Sequence, residues 1–103
     1  MAKIIMRYKN EVVQEINLDK EVVSIGRKPD NSIVIDNQAV SGHHAIIEKE
    51  GDQLFVEDLK SLNGTYLNGR VVKRAEIFNK DLILIGVHAL EIVFDKDRFA
   101  DSK

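Results

Sequence analysis

The chain has 103 residues, 44% of them apolar and 31% charged, a balance typical of one globular domain with a single core. The absence of cysteine excludes disulfides and thiolate metal sites and fits a reducing compartment, so a cytoplasmic location is expected. A net charge of −2 is not that of a typical nucleic-acid binder, and no apolar stretch reaches the roughly eighteen residues of a membrane span.

The first half of the chain contains five short β-type segments separated by turn signals. Between Glu11 and Leu18 polar and apolar residues alternate, which predicts a half-buried strand with Val12, Ile16 and Leu18 on its core face. The only proline lies in the polar cluster 28–31, which predicts a turn. The five predicted strands cover residues 4–8, 11–18, 22–25, 32–35 and 44–49.

The second half continues in the same way and closes the domain near residue 95. Asn63-Gly64 and Asn68-Gly69 predict hairpin turns, because type I′ turns need positive φ at both central residues. The segment 82–85 has no polar face, which predicts a strand buried on both sides. No window predicts a helix, and the charged residues 96–103 are expected to form a tail or linker after a domain at 1–95. The remaining predicted strands cover residues 53–59, 65–67, 81–85 and 90–94.

Polar residues stand where predicted strands end, and loops on a rigid sandwich often carry recognition residues. The order and spacing of these residues resemble the fingerprint of the forkhead-associated (FHA) family, which is Gly-Arg, then Ser-x-x-His, then Asn-Gly. Ser41 follows Arg27 by 14 residues, and Asn63 follows Ser41 by 22. The resemblance extends over about residues 3 to 94. The segments that carry it are Gly26-Arg27, Ser41-Gly42-His43-His44, Asn63-Gly64-Thr65 and Asn68-Gly69.

The resemblance implies an all-β fold, a two-sheet sandwich of about eleven short and mainly antiparallel strands with the ligand loops at one end. It also implies a non-catalytic signalling module that binds peptides carrying phosphothreonine. The expected partner is a threonine-phosphorylated protein, the substrate of a Ser/Thr kinase. No cofactor, metal, nucleic acid or membrane is expected to bind, and the isolated domain is expected to be a monomer.

Three residues are matched to ligand-binding roles by this resemblance. Arg27 is expected to hold the phosphate, because its planar guanidinium forms charge-assisted and often bidentate bonds to phosphate oxygens. Ser41 is expected to donate its hydroxyl to the same phosphate, and Asn63 to bond the peptide main chain. The alternative roles are a surface salt bridge for Arg27, a turn or cap for Ser41 and a hairpin turn for Asn63.

The sequence departs from the family pattern beside these residues. Gly42 stands where other members often have a basic or amide side chain, so it offers the phosphate only its backbone N–H. His43 is a candidate to compensate when protonated, below about pH 6.5. Leu62 lacks the hydroxyl that some members carry before Asn63, and Ala39 gives no basis for selecting an acidic residue after the phosphothreonine.

The remaining motif residues are expected to shape the loops without touching the ligand. His44 is assigned to loop architecture, and Gly26 to a close backbone approach or an unusual φ. Gly64, Asn68 and Gly69 are assigned to turns.

Three other interpretations are compatible with the sequence. The same fold can serve as an assembly scaffold that needs no phosphate, which the glycine at position 42 leaves possible. An enzyme could be built on Ser41, His43, His44 and Asp58, although the chain has no Gly-x-Ser-x-Gly motif. A nucleic-acid-binding β-barrel would need a basic groove and an aromatic stacking platform, and neither stands out in the sequence.

Overall fold

A computed structural model describes residues 2–94, so the predicted tail at 96–103 lies outside the described residues. This part of the chain forms eleven strands with short connections. In chain order they are β1 (Ala2–Tyr8), β2 (Glu11–Leu18), β3 (Val22–Gly26), β4 (Ile33–Val34), β5 (Ala45–Glu50), β6 (Gln53–Asp58), β7 (Thr65–Leu67), β8 (Arg70–Val72), β9 (Arg74–Ile77), β10 (Leu82–Ile85) and β11 (His88–Phe94).

The strands form two sheets that pack as a sandwich. One sheet has the order β2-β1-β11-β10-β7-β8 and the other β4-β3-β5-β6-β9. Every pair is antiparallel except β3 with β4. The predicted all-β sandwich of about eleven mainly antiparallel strands is therefore confirmed. Among residues 2–94 no helix is long and apolar enough to cross a membrane.

The core lies between the sheets and consists of the inward residues of each alternating strand. In β5, for example, Ala45 and Ile47 are buried and Ile46 is half-exposed, as the alternation predicted, whereas Lys49 is exposed at the end of the strand although it lies on the same face as Ile47. Each strand contributes one apolar face, because successive side chains point to opposite sides of a sheet. The largest fully buried apolar side chains are Ile4, Ile25, Ile33, Ile47, Val56, Ile77, Ile83, Ile85, Leu90 and Ile92.

The predicted inner face of β2 is wrong at its first half. Leu18 is buried and Ile16 packs against the core, but Val12 is 51% exposed. The register shifts between Met6 and Arg7 of β1, so that Val13 is an extra residue in β2. A bulge of this kind reverses the side on which the following residues point, so Val12 lies on the outer face opposite Arg7.

The prediction that β10 is buried on both sides is also wrong. Ile83 and Ile85 are fully buried, whereas Leu82 and Leu84 are 43% and 40% exposed. In a two-layer sandwich each sheet has only one face against the core, so the second apolar face of β10 lies at the surface. There Leu84 pairs across the strands with Tyr66, which is also exposed.

Two strands were not predicted, and one predicted hairpin is absent. The β7–β8 connection has the expected type I′ signature, with φ of 51° at Asn68 and 88° at Gly69. In contrast, Asn63-Gly64 ends the longer loop between β6 and β7, and of these two residues only Gly64 has a positive φ. β8 and β9 escaped prediction because they are only three and four residues long, too short to show an apolar alternation.

Candidate functional site

Three loops converge at one end of the sandwich and contain all the predicted ligand-binding residues. They connect β3 to β4, β4 to β5, and β6 to β7. The first two are joined through their backbones, since Arg27 N–H donates to the Ser41 carbonyl at 2.9 Å and Lys28 N–H to the Gly42 carbonyl at 3.2 Å. The Arg27 and Ser41 segments therefore lie side by side although they are far apart in sequence.

The close approach of these two loops explains Gly26 and gives Asn31 a role. A Cβ atom at Gly26 would overlap the Gly42 carbonyl oxygen and would lie 2.7 Å from Asn31 Nδ2. Asn31 is almost completely buried, and its Nδ2 donates to the carbonyls of Lys28 at 2.8 Å and Gly42 at 2.7 Å. Of the two alternatives predicted for Gly26, the structure therefore shows the close backbone approach.

His44 is completely buried and connects the second loop to the third. Its Nδ1 accepts from the Ser41 N–H at 3.1 Å, and its Nε2 is 2.9 Å from the Gly64 carbonyl. An amide can only donate and a carbonyl can only accept, so the ring is neutral with its proton on Nε2. His44 thus fixes the backbone at Ser41 and Gly64, an architectural role consistent with its predicted assignment.

Ser41 and Asn63 hold the same two loops together from the surface. The Ser41 Oγ accepts from the Leu62 N–H at 3.0 Å, and Asn63 Nδ2 donates to the Ala39 carbonyl at 2.9 Å. The Ser41 hydroxyl hydrogen and the Asn63 amide oxygen have no acceptor or donor within residues 2–94. The Leu62 side chain is 87% exposed beside them. One hydrogen-bond donor on Ser41 and one acceptor on Asn63 are therefore available at the surface of the end of the sandwich that carries the three loops.

Arg27 is exposed and its guanidinium forms no ion pair or hydrogen bond with any other residue of the described chain. The arginines at positions 7 and 74, by comparison, are paired with glutamates. The salt-bridge alternative for Arg27 is therefore not what this structure shows. The guanidinium remains available to an external anion.

His43 lies just before β5 and is exposed, unlike its neighbour His44, which is buried. Its Nε2 is 3.1 Å from both carboxylate oxygens of Asp30. The hydrogen bond from His43 is the largest cause that lowers the pKa of the exposed Asp30 carboxyl. The His43 Nε2 atom is thus occupied by Asp30, so its predicted compensation for Gly42 is not supported by this geometry.

The half-buried carboxylate of Asp58 stabilises the third loop. The Asp58 carboxylate accepts from the Ser61 hydroxyl at 2.5 Å, the Thr65 hydroxyl at 2.7 Å and the Ser61 N–H at 3.1 Å. Partial burial raises the pKa of Asp58, but the hydrogen bonds from Ser61 and Thr65 outweigh it and leave that pKa below its ordinary value of 3.8. The Ser61 Oγ in turn accepts from Gly64 N–H at 2.9 Å.

Replacing Asp58 by asparagine is expected to lower the free energy of unfolding by about 1–3 kcal/mol at neutral pH, because the charged acceptor of two hydroxyls is lost. The folded pKa lies below the unfolded one, so this stabilisation is present above pH 3.8 and is lost as the pH falls through the folded pKa. Urea denaturation of wild type and variant should therefore show a difference that shrinks on acidification. The exposed Asp36→Asn serves as the control, and an equal Asp58 effect at about pH 7 and about pH 3 would contradict the assignment.

The four residues of the enzyme interpretation do not form the hydrogen bonds of a triad in the described chain. His44 accepts a hydrogen bond from the backbone N–H of Ser41 and not from its hydroxyl. His43 contacts Asp30, and the Asp58 carboxylate accepts from Ser61. Within residues 2–94 no group of three or more His, Asp and Glu side chains could hold a metal ion.

Sequence reasoning missed three residues of this end, Asn31, Asp58 as a loop anchor, and Ser61. The only available signal for Asn31 was its place in the polar cluster after Gly26-Arg27. Asp58 and Ser61 have the i, i+3 spacing of a side-chain-capped turn, in which a short polar side chain bonds the backbone a few residues on. That spacing is common in loops, so it did not distinguish these two residues.

The family model of the FHA domain matches residues 23–86 of the chain. The matched segment runs from β3 to the β10–β11 turn and includes all three loops of the site. The remaining strands β1, β2 and β11 lie outside it but complete the larger sheet.

Curated relatives are similar over the same region. The chain is 44% identical over 69 residues to the oxoglutarate dehydrogenase inhibitor of Corynebacterium jeikeium, which is 67% of this chain and 48% of that protein. It is also 44% identical over 69 residues to the glycogen accumulation regulator GarA of Mycolicibacterium smegmatis, which covers 67% of this chain and 44% of the relative. The matched region thus spans about half the length of these relatives.

Solved structures share the fold. The FHA domain of CT664 from Chlamydia trachomatis superposes with a TM-score of 0.85 at 23% identity, covering 92% of this chain and 98% of that one. EmbR of Mycobacterium tuberculosis, solved in complex with a low-affinity phosphopeptide, gives a TM-score of 0.79 at 28% identity over 88% of this chain and 24% of EmbR.

Proposed function

Because the chain belongs to the FHA domain family, we propose that it is a phosphothreonine-peptide recognition module that docks a phosphorylated protein partner in signalling. The observation that carries this proposal is the exposed and unpaired Arg27 guanidinium beside the Ser41 loop. The protein supplies binding groups in this mechanism and catalyses no reaction of its own.

Phosphate capture uses three kinds of donor at the surface of the site. Arg27 supplies a full positive charge and paired N–H groups that match two phosphate oxygens. The Ser41 Oγ already accepts from Leu62 N–H, so its hydroxyl hydrogen is directed to another acceptor, the phosphate. The Gly42 N–H, which donates to no group within residues 2–94, adds a backbone donor. A phosphorylated threonine carries about −1.5 to −2 charges at pH 7, which suits this set.

The peptide main chain is bound by the third loop. The Asn63 side chain is anchored by its Nδ2 on the Ala39 carbonyl, so its amide oxygen is positioned to accept a peptide N–H. Leu62, which is 87% exposed, offers an apolar contact to a residue that flanks the phosphothreonine. Sequence preference beyond the phosphate therefore depends on Asn63 and Leu62.

The site is organised before the ligand arrives. His44, Asn31 and Asp58 bond the loop backbones from the buried side and leave the outward groups free. A pre-formed site does not lose loop entropy on binding, so more of the phosphate interaction appears as affinity. Two or three charge-assisted bonds of roughly 1.5–3 kcal/mol each are compatible with a micromolar complex of about −8 kcal/mol.

The names of the relatives are consistent with a regulatory role, since one is an inhibitor of oxoglutarate dehydrogenase and another a regulator of glycogen accumulation. For this chain, the partner is proposed to be a threonine-phosphorylated substrate of a Ser/Thr kinase, bound in the cytoplasm by a monomeric domain. We assign residues 1–95 to that domain and 96–103 to a charged tail. The ligand is a protein rather than a nucleic acid or a membrane, and no cofactor takes part.

The phosphate-independent scaffold is the main alternative. Binding that does not depend on phosphate does not require an exposed and unpaired arginine. In a scaffold that no longer binds a phosphate, Arg27, Ser41 and Asn63 could each be replaced without loss of function. All three are present and project from loops that other side chains brace. These features favour the phosphopeptide module.

The test is a titration of an otherwise random phosphothreonine peptide library by calorimetry or fluorescence, beside its phosphoserine and unphosphorylated counterparts. We expect binding of phosphothreonine, about 10–200-fold weaker binding of phosphoserine, because one buried methyl group is lost, and none without phosphate. Equal binding with and without phosphate would establish the scaffold alternative instead.

A further inference from the structure

The glycine at position 42 is not required by its own backbone. Its φ lies outside the left-handed region, whereas Gly51, Gly64, Gly69 and Gly86 all have positive φ. A side chain at this position would meet the stem of one flexible lysine. A Cβ atom at position 42 would lie 3.1 Å from Cε, 3.2 Å from Cγ and 3.3 Å from Cδ of Lys28.

The Lys28 stem therefore covers the face of Gly42 on which a side chain would stand. Its root is fixed as well, because Lys28 N–H donates to the Gly42 carbonyl and the Lys28 carbonyl accepts from both the backbone and the side chain of Asn31. Lysine often packs its methylene stem on a neighbour and keeps its ammonium in solvent. Here the neighbour is the Gly42 segment that offers its N–H to the phosphate.

Besides Arg27, Lys28 is a second cation at this position that forms no ion pair within residues 2–94. The Nε2 atom of His43 is engaged by both carboxylate oxygens of Asp30, so this nitrogen is not available to an external anion. Lys28 makes no ion pair with any described residue, although its charge contributes to lowering the pKa of the exposed Asp30 carboxyl. Its ammonium thus belongs to the same end of the sandwich as Arg27, its neighbour in sequence.

From this geometry we propose that Lys28 is the second cation of the phosphate site, reaching across Gly42 to the place that a basic side chain at position 42 would otherwise fill. The inference rests on the proposed phosphopeptide function and extends it. Lys28 and Gly42 form a matched pair. A larger residue at position 42 would displace the methylene stem of Lys28, and a smaller residue at position 28 would leave the surface of Gly42 uncovered.

Lys28→Gln tests the charge while keeping most of the stem over Gly42. We expect the affinity for the phosphothreonine peptide library to fall roughly five- to tenfold, and the salt dependence of binding to become shallower, because one ion contact to phosphate is lost. Lys20→Gln is the matched control, because Lys20 is an exposed lysine in the β2–β3 connection at the opposite end of the sandwich. Its affinity should equal that of wild type.

A rescue variant tests the pairing of the two positions. Gly42→Lys combined with Lys28→Ala places the cation on the other loop with the space cleared for it, and should recover most of the affinity. Loss of binding in Arg27→Ala with unchanged affinity in Lys28→Gln would overturn this inference and leave the proposed function standing. Absence of phosphate-dependent binding by the folded wild type would overturn both.

Discussion

Replacing Arg27 by alanine is expected to weaken binding of the phosphothreonine peptide library by at least about a hundredfold, which corresponds to roughly 3 kcal/mol. A bidentate guanidinium–phosphate contact contains two charge-assisted bonds, each contributing about 1.5–3 kcal/mol. No other residue of the site combines a full charge with paired donors. Arg27→Lys keeps the positive charge but not the paired N–H donors of the guanidinium, so we expect an intermediate loss of affinity of about tenfold.

The same variant should leave the fold unchanged, which separates loss of binding from loss of structure. The Arg27 side chain contacts no ion-pair or hydrogen-bond partner within residues 2–94, and its backbone N–H bond to Ser41 is retained by alanine. The free energy of unfolding should therefore change by no more than about 0.5 kcal/mol. Arg70→Ala, an exposed arginine that follows the β7–β8 turn, is the charge-matched control. Equal affinity of Arg27→Ala and Arg70→Ala would refute the phosphate role of Arg27.

Gly26→Ala is expected to have the largest effect on stability of any single methyl addition at a described glycine, about 3 kcal/mol by urea denaturation. The added carbon overlaps the Gly42 carbonyl and crowds the buried amide of Asn31, whose Nδ2 is already bonded to two carbonyls. Neither group can move without breaking the contact between the first two loops. The variant should also bind phosphopeptide poorly, because Arg27 directly follows the displaced residue.

Gly51→Ala is the informative comparison, since it isolates backbone strain from crowding. Gly51 has a φ of 62°, but nothing lies within 4 Å of the position its Cβ would take. Alanine there should cost only about 1 kcal/mol, the strain of a left-handed residue. If Gly51→Ala proved as destabilising as Gly26→Ala, the close approach between the loops would not be the reason for glycine at position 26.

Sequence periodicity predicted most of the fold because the sandwich is built from strands with one apolar face. It failed where a non-local feature decides the outcome. The bulge opposite Met6 and Arg7 moved Val12 to the surface, and no residue of β2 signals it. Leu82 and Leu84 are exposed because each sheet of a two-layer sandwich has only one face against the core. A run of apolar residues such as 82–85 ordinarily indicates a strand that is buried on both sides.

For the candidate site, the sequence offers only a linear motif. Order and spacing single out Arg27, Ser41 and His44 as candidates, but they do not indicate which residues these side chains contact. The contact of Lys28 with Gly42 and that of His43 with Asp30 join residues 13 or 14 positions apart across two loops. Such contacts depend on how the loops fold against each other, so the sequence alone does not show that the Lys28 stem lies beside Gly42.

The most direct test of the account is to map the bound phosphothreonine peptide on the isotopically labelled domain by amide chemical shifts. The account predicts that phosphate-dependent shifts cluster at the three loops, led by the amides of Arg27, Ser41, Gly42 and Asn63, and that they vanish in Arg27→Ala. Shifts centred on the exposed outer-sheet residues Tyr66 and Leu84, or shifts that persist without the phosphate, would contradict it.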